Sequence, residues 1–290
     1  SETKPSVSSC HILLDSLQKI CLMHGIEVDY YKKLFQTAGN IIELIEKDDI
    51  PKYLLFLENV FPYMDNYNYQ KGMKEIIQEL KNFLKPKDIG TDSDRALLLD
   101  FQATLEIKPE KAMKLEKDAL ALITEITEDN AHLVSNLHSN LGGLYRMNGY
   151  PDLAMEHMEK GLFLLEQYNL LYTHDGIPQA TNYAMFLTEQ QAPEKGISVL
   201  QKLSKGIKEY NSDCCLDYAT VQETLATIYL MTANLPQAKT HFKRACKIYE
   251  KIWADEPEMI EKKYLEIQEL YPQVGYFLGQ QISNFLTKQT

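Results

Sequence analysis

A repeat of 42 residues governs what this chain can fold into. Small residues recur at Gly142, Ala184 and Ala226, separated by 42 and 42 positions. The same step joins Leu141 to Tyr183 and Leu225, Tyr145 to Leu187 and Tyr229, and Ala154 to Gly196 and Ala238. It also joins Met158 to Leu200 and Phe242, and Gly161 to Leu203 and Ala245. A fixed period of this length marks a stacked repeat. Each piece of such a stack can bury its apolar face only against its neighbours.

Prolines keep the same period. Pro109, Pro151 and Pro193 are 42 and 42 apart, and Pro236 lies one residue beyond the next step. The first three are followed by Glu110, Asp152 and Glu194. A proline lacks an N–H that the first turn of a helix does not need, and an acid there complements the helix dipole. Each proline therefore opens the second helix of a pair. The first helix ends just before it, as at Asn148-Gly149. Small columns in both helices let the two approach closely, and the large columns fill the space beside them. No stretch alternates in the manner of a strand.

The register runs upstream through Ala112 and Ala119, but Asp100 takes the place of the small residue of the first helix. Residues 9–24 with 28–47, 53–63 with 69–84, and 257–270 with 272–286 read as further helix pairs. That makes seven pairs, with atypical ends that cap the stack. The expected organisation is a helical region over residues 1–90, repeats over 91–253 and capping helices over 254–290.

The run Leu141-Gly142-x-x-Tyr145, followed by Ala154-x-x-x-Met158-x-x-Gly161, resembles the tetratricopeptide signature. Leu225-Ala226-x-x-Tyr229, with Ala238-x-x-x-Phe242-x-x-Ala245, resembles it more closely. The middle repeat departs in residue type, with Tyr183 and Leu187 at the large positions. The usual tryptophan of the first helix is missing from all three. The period exceeds the common 34 residues by about two helical turns. Long repeats of this kind are similar to those of kinesin light chains and of bacterial signalling ATPases. The resemblance covers roughly residues 95–252. It implies an all-α, right-handed superhelical solenoid of antiparallel helix pairs whose first helices line a concave groove.

A protein or peptide in that groove is the expected partner. On the helix that carries Leu137, Leu141 and Tyr145, the residues Asn136, Asn140, Gly143 and Met147 form a neighbouring stripe. The 42-residue step carries Asn140 to Asn182 and then to Thr224. Asparagine offers a donor and an acceptor, which suits the backbone of an extended ligand. The alternative is a solvated polar helix face. Arg146 and Glu189 are further candidates, against the reading that they are ordinary surface charges.

Other chemistry is not written in the chain. There is no phosphate loop, no His-Glu-x-x-His and no Gly-x-Ser-x-Gly, so neither an enzyme nor a cofactor site is expected. Cys10, Cys21 and His24 make a poor zinc set without a fourth ligand. His138 and His157 read as packed or solvated helix residues. The net charge of −11 and the lack of a basic cluster argue against nucleic acid. No apolar run is long enough to cross a membrane. Five irregularly spaced cysteines, including Cys246 and a Cys214-Cys215 pair at a helix start, read as reduced and mostly buried in a cytoplasmic protein.

The chain starts at Ser1 with a Ser-rich lead, as an internal piece of a longer protein or a processed terminus would. The resemblance then implies the carboxy-terminal sensor region of a bacterial signal-transduction ATPase with numerous domains, the STAND class with its NB-ARC-type nucleotide-binding module. A peptide receptor of a Gram-positive regulatory system and a stand-alone adaptor are the alternatives.

Overall fold

The structure is a computed structural model. It describes residues 90–173, 176–210 and 213–270, together with Tyr53, Leu54, Ile77, Gln78, Lys81 and Asn82. The expected pairs over 9–24 and 28–47 and over 53–63 and 69–84, and the helix over 272–286, lie outside these residues or almost wholly so. Cys10, Cys21 and His24 lie outside them too.

Every regular element among the described residues is an α-helix. In chain order these are α1 (Asp92–Thr104), α2 (Pro109–Leu122), α3 (Ala131–Met147), α4 (Pro151–Gln167) and α5 (Gly176–Glu189). They continue with α6 (Pro193–Tyr210), α7 (Leu216–Met231), α8 (Leu235–Ile252) and α9 (Pro257–Leu270). Pro109, Pro151 and Pro193 are each the first residue of a second helix, and Pro236 is the second residue of α8. The proline period of the sequence is thus the period of helix starts.

The turns that join first to second helices repeat as well. Gly149, Gln191 and Ala233 adopt left-handed φ values of 77°, 62° and 58°, and they too are 42 and 42 apart. Around them the amides of Tyr150, Ala192 and Asn234 donate to the carbonyls of Tyr145, Leu187 and Tyr229 at 3.0, 2.9 and 2.7 Å. The amides of Gly149, Gln191 and Ala233 donate to Arg146, Thr188 and Leu230. This is the Schellman termination, which satisfies the last carbonyls of a helix and reverses the chain. One large column, Tyr145/Leu187/Tyr229, is therefore also the column that receives the closing hydrogen bond.

The chain divides into two compact units, Ser1–His157 and Met158–Thr290, with the boundary inside α4. In the first unit α1 packs on α2, and α3 packs on both. Asp100 of α1 meets Asn140 of α3, and Tyr145 of α3 meets Tyr150 and His157 edge-on or tilted. In the second unit α5 packs on α6, α6 on α7, α7 on α8 and α8 on α9. The contacts of α7 with α8 run antiparallel: Tyr229 stacks on His241, Gln222 reaches His241 and Arg244, and Glu223 accepts from Tyr249.

The small columns mark the closest approaches. A Cβ placed on Gly196 would lie 2.5 Å from the Ala184 carbonyl oxygen, so α5 and α6 touch at backbone distance there. Ala154, Ala184, Ala226 and Ala238 are all fully buried. The large columns at Leu141, Leu200, Leu225 and Phe242 are buried beside them. Tyr183 departs from the expected core role. It is half-buried, and its hydroxyl donates to Glu159 at 3.1 Å. A phenol needs a partner for its O–H, and the helix surface supplies one. Cys246 is buried and free, whereas Cys214 is exposed and Cys215 half-exposed at the start of α7.

Candidate functional site

The first helices carry the stripe that the sequence singles out. On α3, Asn136 is half-buried with its Nδ2 3.1 Å from His132 Nε2. Asn140, one turn on, is exposed, and its Nδ2 donates to Asp100 Oδ1 at 2.7 Å. A Cβ on Gly143 would meet nothing within 4 Å, so the stripe is open there. Arg146 is half-buried in the last turn, and Met147 beside it is 82% exposed. Asn136, Asn140, Gly143 and Met147 therefore share one accessible face of α3.

In the second unit the same register positions are occupied differently. Asn182 and Glu189 on α5 are exposed. Thr224 is only 9% exposed, and its hydroxyl donates to the Thr220 carbonyl of its own helix at 2.9 Å. Thr227 does the same with Glu223 at 3.0 Å. Threonine in a helix often closes this local bond, which commits its proton to its own helix and leaves only its acceptor capacity. Met231, at the end of α7, is 52% exposed. The column Met147, Glu189, Met231 is thus exposed at all three repeats, while the column Asn140, Asn182, Thr224 is exposed at two.

Beneath the α3 stripe lies a feature that type and spacing did not single out. Glu116 of α2 occupies the register position of Met158, Leu200 and Phe242, and it is 1% exposed. Asp100 of α1 occupies the position of Gly142, Ala184 and Ala226. Two acids thus replace two core columns in one repeat, and they hydrogen-bond each other. Burial, with Asp100 alongside, pushes the Glu116 carboxyl up to about 10, so it is a neutral acid at pH 7. Burial raises Asp100 as well, against the bonds from Glu116 and Asn140 and the field of His132. The 42-residue step that finds Met158 would have found Glu116.

A concavity of about 530 Å³ opens in the second unit between the end of α4, the loop after it and α6. Tyr172 lies against Gly206 and stacks on Tyr210 with ring centroids 5.0 Å apart. Lys202 and Glu166 pair at 2.6 Å on its rim. None of the residues that the sequence puts forward lines it. Among the described residues no group of three or more histidine, cysteine or acidic side chains could hold a metal, and no helix is long and apolar enough to cross a membrane.

No protein-family model matches the chain, and no curated protein matches it in sequence. Solved structures do match in fold. The apo form of RapI is similar with a TM-score of 0.62 at 12% identity, over 96% of this chain and 76% of that one. A Rap protein complexed with competence and sporulation factor gives 0.56 at 15% identity, over 97% and 75%. A kinesin light chain of Podosopora anserina with nearly identical TPR-like repeats gives 0.52 at 11% identity, over 80% and 100%. The fold is that of tetratricopeptide-like helical repeats.

Proposed function

We propose that this chain is a protein- or peptide-binding repeat module that holds an extended segment against its first helices, and that it binds rather than catalyses. The observation that carries this reading is the column Met147, Glu189 and Met231. Two methionines at 82% and 52% exposure stand at one register position of the repeat, with a glutamate between them. Flexible thioethers suit irregular apolar partners, and the neighbouring amides of Asn140 and Asn182 suit a peptide backbone. Asn136, Arg146 and Glu189 complete the proposed contact set, with Thr224 beneath it. A structure of this fold, the Rap protein complexed with competence and sporulation factor, supports the reading.

The wider context we propose is the cytoplasmic sensor or interaction region of a larger bacterial signalling ATPase, as the resemblance of the long repeats implies. A peptide receptor of a Gram-positive regulatory system is the second reading, ahead of a stand-alone adaptor. It is favoured by the span of the Rap chains, which match nearly the whole of this one. A phosphate-loop domain encoded ahead of Ser1 supports the ATPase, and a helix-turn-helix there supports the receptor.

Screening the purified chain against an arrayed library of synthetic peptides tests the module itself. Saturable binding that falls when Met147 and Met231 are both changed to Glu supports the reading. Binding unchanged by that pair of substitutions places the contact surface elsewhere.

A further inference from the structure

We propose that Asp100, Glu116 and Asn140 form a subsite for a cationic group, an ammonium or guanidinium, on the bound segment. This rests on the reading of the chain as a peptide-binding module. Both acids stand where the repeat elsewhere places Gly, Ala, Met, Leu or Phe. Packing alone would favour an apolar residue in those slots, and a buried carboxyl is disfavoured unless something uses it.

Glu116 is buried to 1% exposure, and its Oε2 meets no hydrogen-bond partner among the described residues. Its other bonds go to Asp100 and Asn140. Asp100 is half-buried and lies beside the exposed Asn140, so Asp100 is reached from the α3 stripe, with the buried Glu116 behind it. Among the described residues no lysine or arginine pairs with either acid; His132 is the basic group whose field reaches Asp100.

The chemistry fits a cation. Burial raises both carboxyls, and an arriving cation offsets that burial by favouring their ionised forms. Asn140 donates its N–H to Asp100, which leaves its carbonyl oxygen as an acceptor for the same cation. An arriving ammonium or guanidinium meets Asp100 and the Asn140 carbonyl, and it favours ionisation of Glu116, whose second oxygen then gains a counter-charge. An anionic group at this place would instead push both carboxyls further up.

The test uses the full chain and an arrayed library of synthetic decapeptides, each made with a free and with an acetylated amino terminus. Peptides that bind are expected to carry a lysine or arginine, or to need the free terminus; the two forms tell these sources apart. Asp100→Asn should weaken them about tenfold or more, and peptides without a cation should not be affected. Replacing the critical lysine of the best peptide by norleucine should lose the same factor on the wild-type chain, a measurement that needs no altered protein. Combining the norleucine peptide with Asp100→Asn should lose nothing further. Peptides that bind without any cation, or equal affinity for the lysine and norleucine forms of a peptide that does not need its free terminus, overturn the subsite and leave the binding module standing. If no peptide in the array binds, both readings fall.

Discussion

Glu116 is where the repeat pattern and the local chemistry disagree most, and its titration is a property that can be measured. Its folded pKa, about 10, lies above its ordinary value of 4.5. Above about pH 4.5 the unfolded chain releases the proton, while the folded chain holds it until about pH 10. The stability that Glu116 contributes is therefore complete below about pH 4.5 and is lost as the pH rises through that window. The difference in unfolding free energy between the wild-type chain and Glu116→Gln should fall from about pH 5 to about pH 9. Its slope should be at most about 1.4 kcal/mol per unit, the limit for one proton. Urea titrations at several pH values measure it, and a flat difference would mean that Glu116 titrates as an ordinary carboxyl. Residue types and spacing were legible in the sequence at this scale; partners were not. Thr224 sits in register with Asn140 and Asn182, yet its hydroxyl closes on Thr220. Asn140 looks like a free surface amide but donates to Asp100, so Asn140→Ala removes a partner from a half-buried acid. Asn182 has no such bond to a described residue, and Asn182→Ala is the cleaner probe of the stripe.

Helices and their joins follow from sequence more completely, because the residues that start a helix also mark its position. The prolines gave the starts of α2, α4, α6 and α9 to the residue. The ends were harder to read. Gly149 is legible as a left-handed stop, but Gln191 and Ala233 take the same conformation without being glycine. Tertiary closure of the helix pair outweighs the local strain, which is about 1–2 kcal/mol for an L-residue. Ala233→Gly relieves that strain while loosening the unfolded chain, and should raise stability by about 0.5–1 kcal/mol. Gly149→Ala should lower it by about 1 kcal/mol. Thermal melts of the two variants that shift the same way would contradict the shared turn. Close approach of the paired helices gives a further test. Gly196→Ala improves helix propensity by about 1 kcal/mol but drives a methyl into the Ala184 carbonyl, against which overpacking costs about 1–3 kcal/mol. A net loss is expected, and a more stable variant would show that α5 and α6 have room to part.

At the scale of the molecule, the 42-residue period was enough for the fold class, because stacked helix pairs are the only arrangement that uses all six columns at once. The site was legible only in part. A stripe on the first helices can be found from period and helical geometry, but what reaches solvent depends on neighbours that one helix does not reveal. Met147 and Met231 emerged as exposed partners of one column, while Thr224 turned inward. The central claim is that a peptide binds along the first helices. Amide hydrogen exchange read by mass spectrometry, with and without a peptide selected from the library, tests this most directly. The account predicts that added protection concentrates in α3, α5 and α7, at the peptides that contain Met147, Glu189 and Met231. Protection confined to the second helices α4, α6 and α8, with the first helices unchanged, would contradict it.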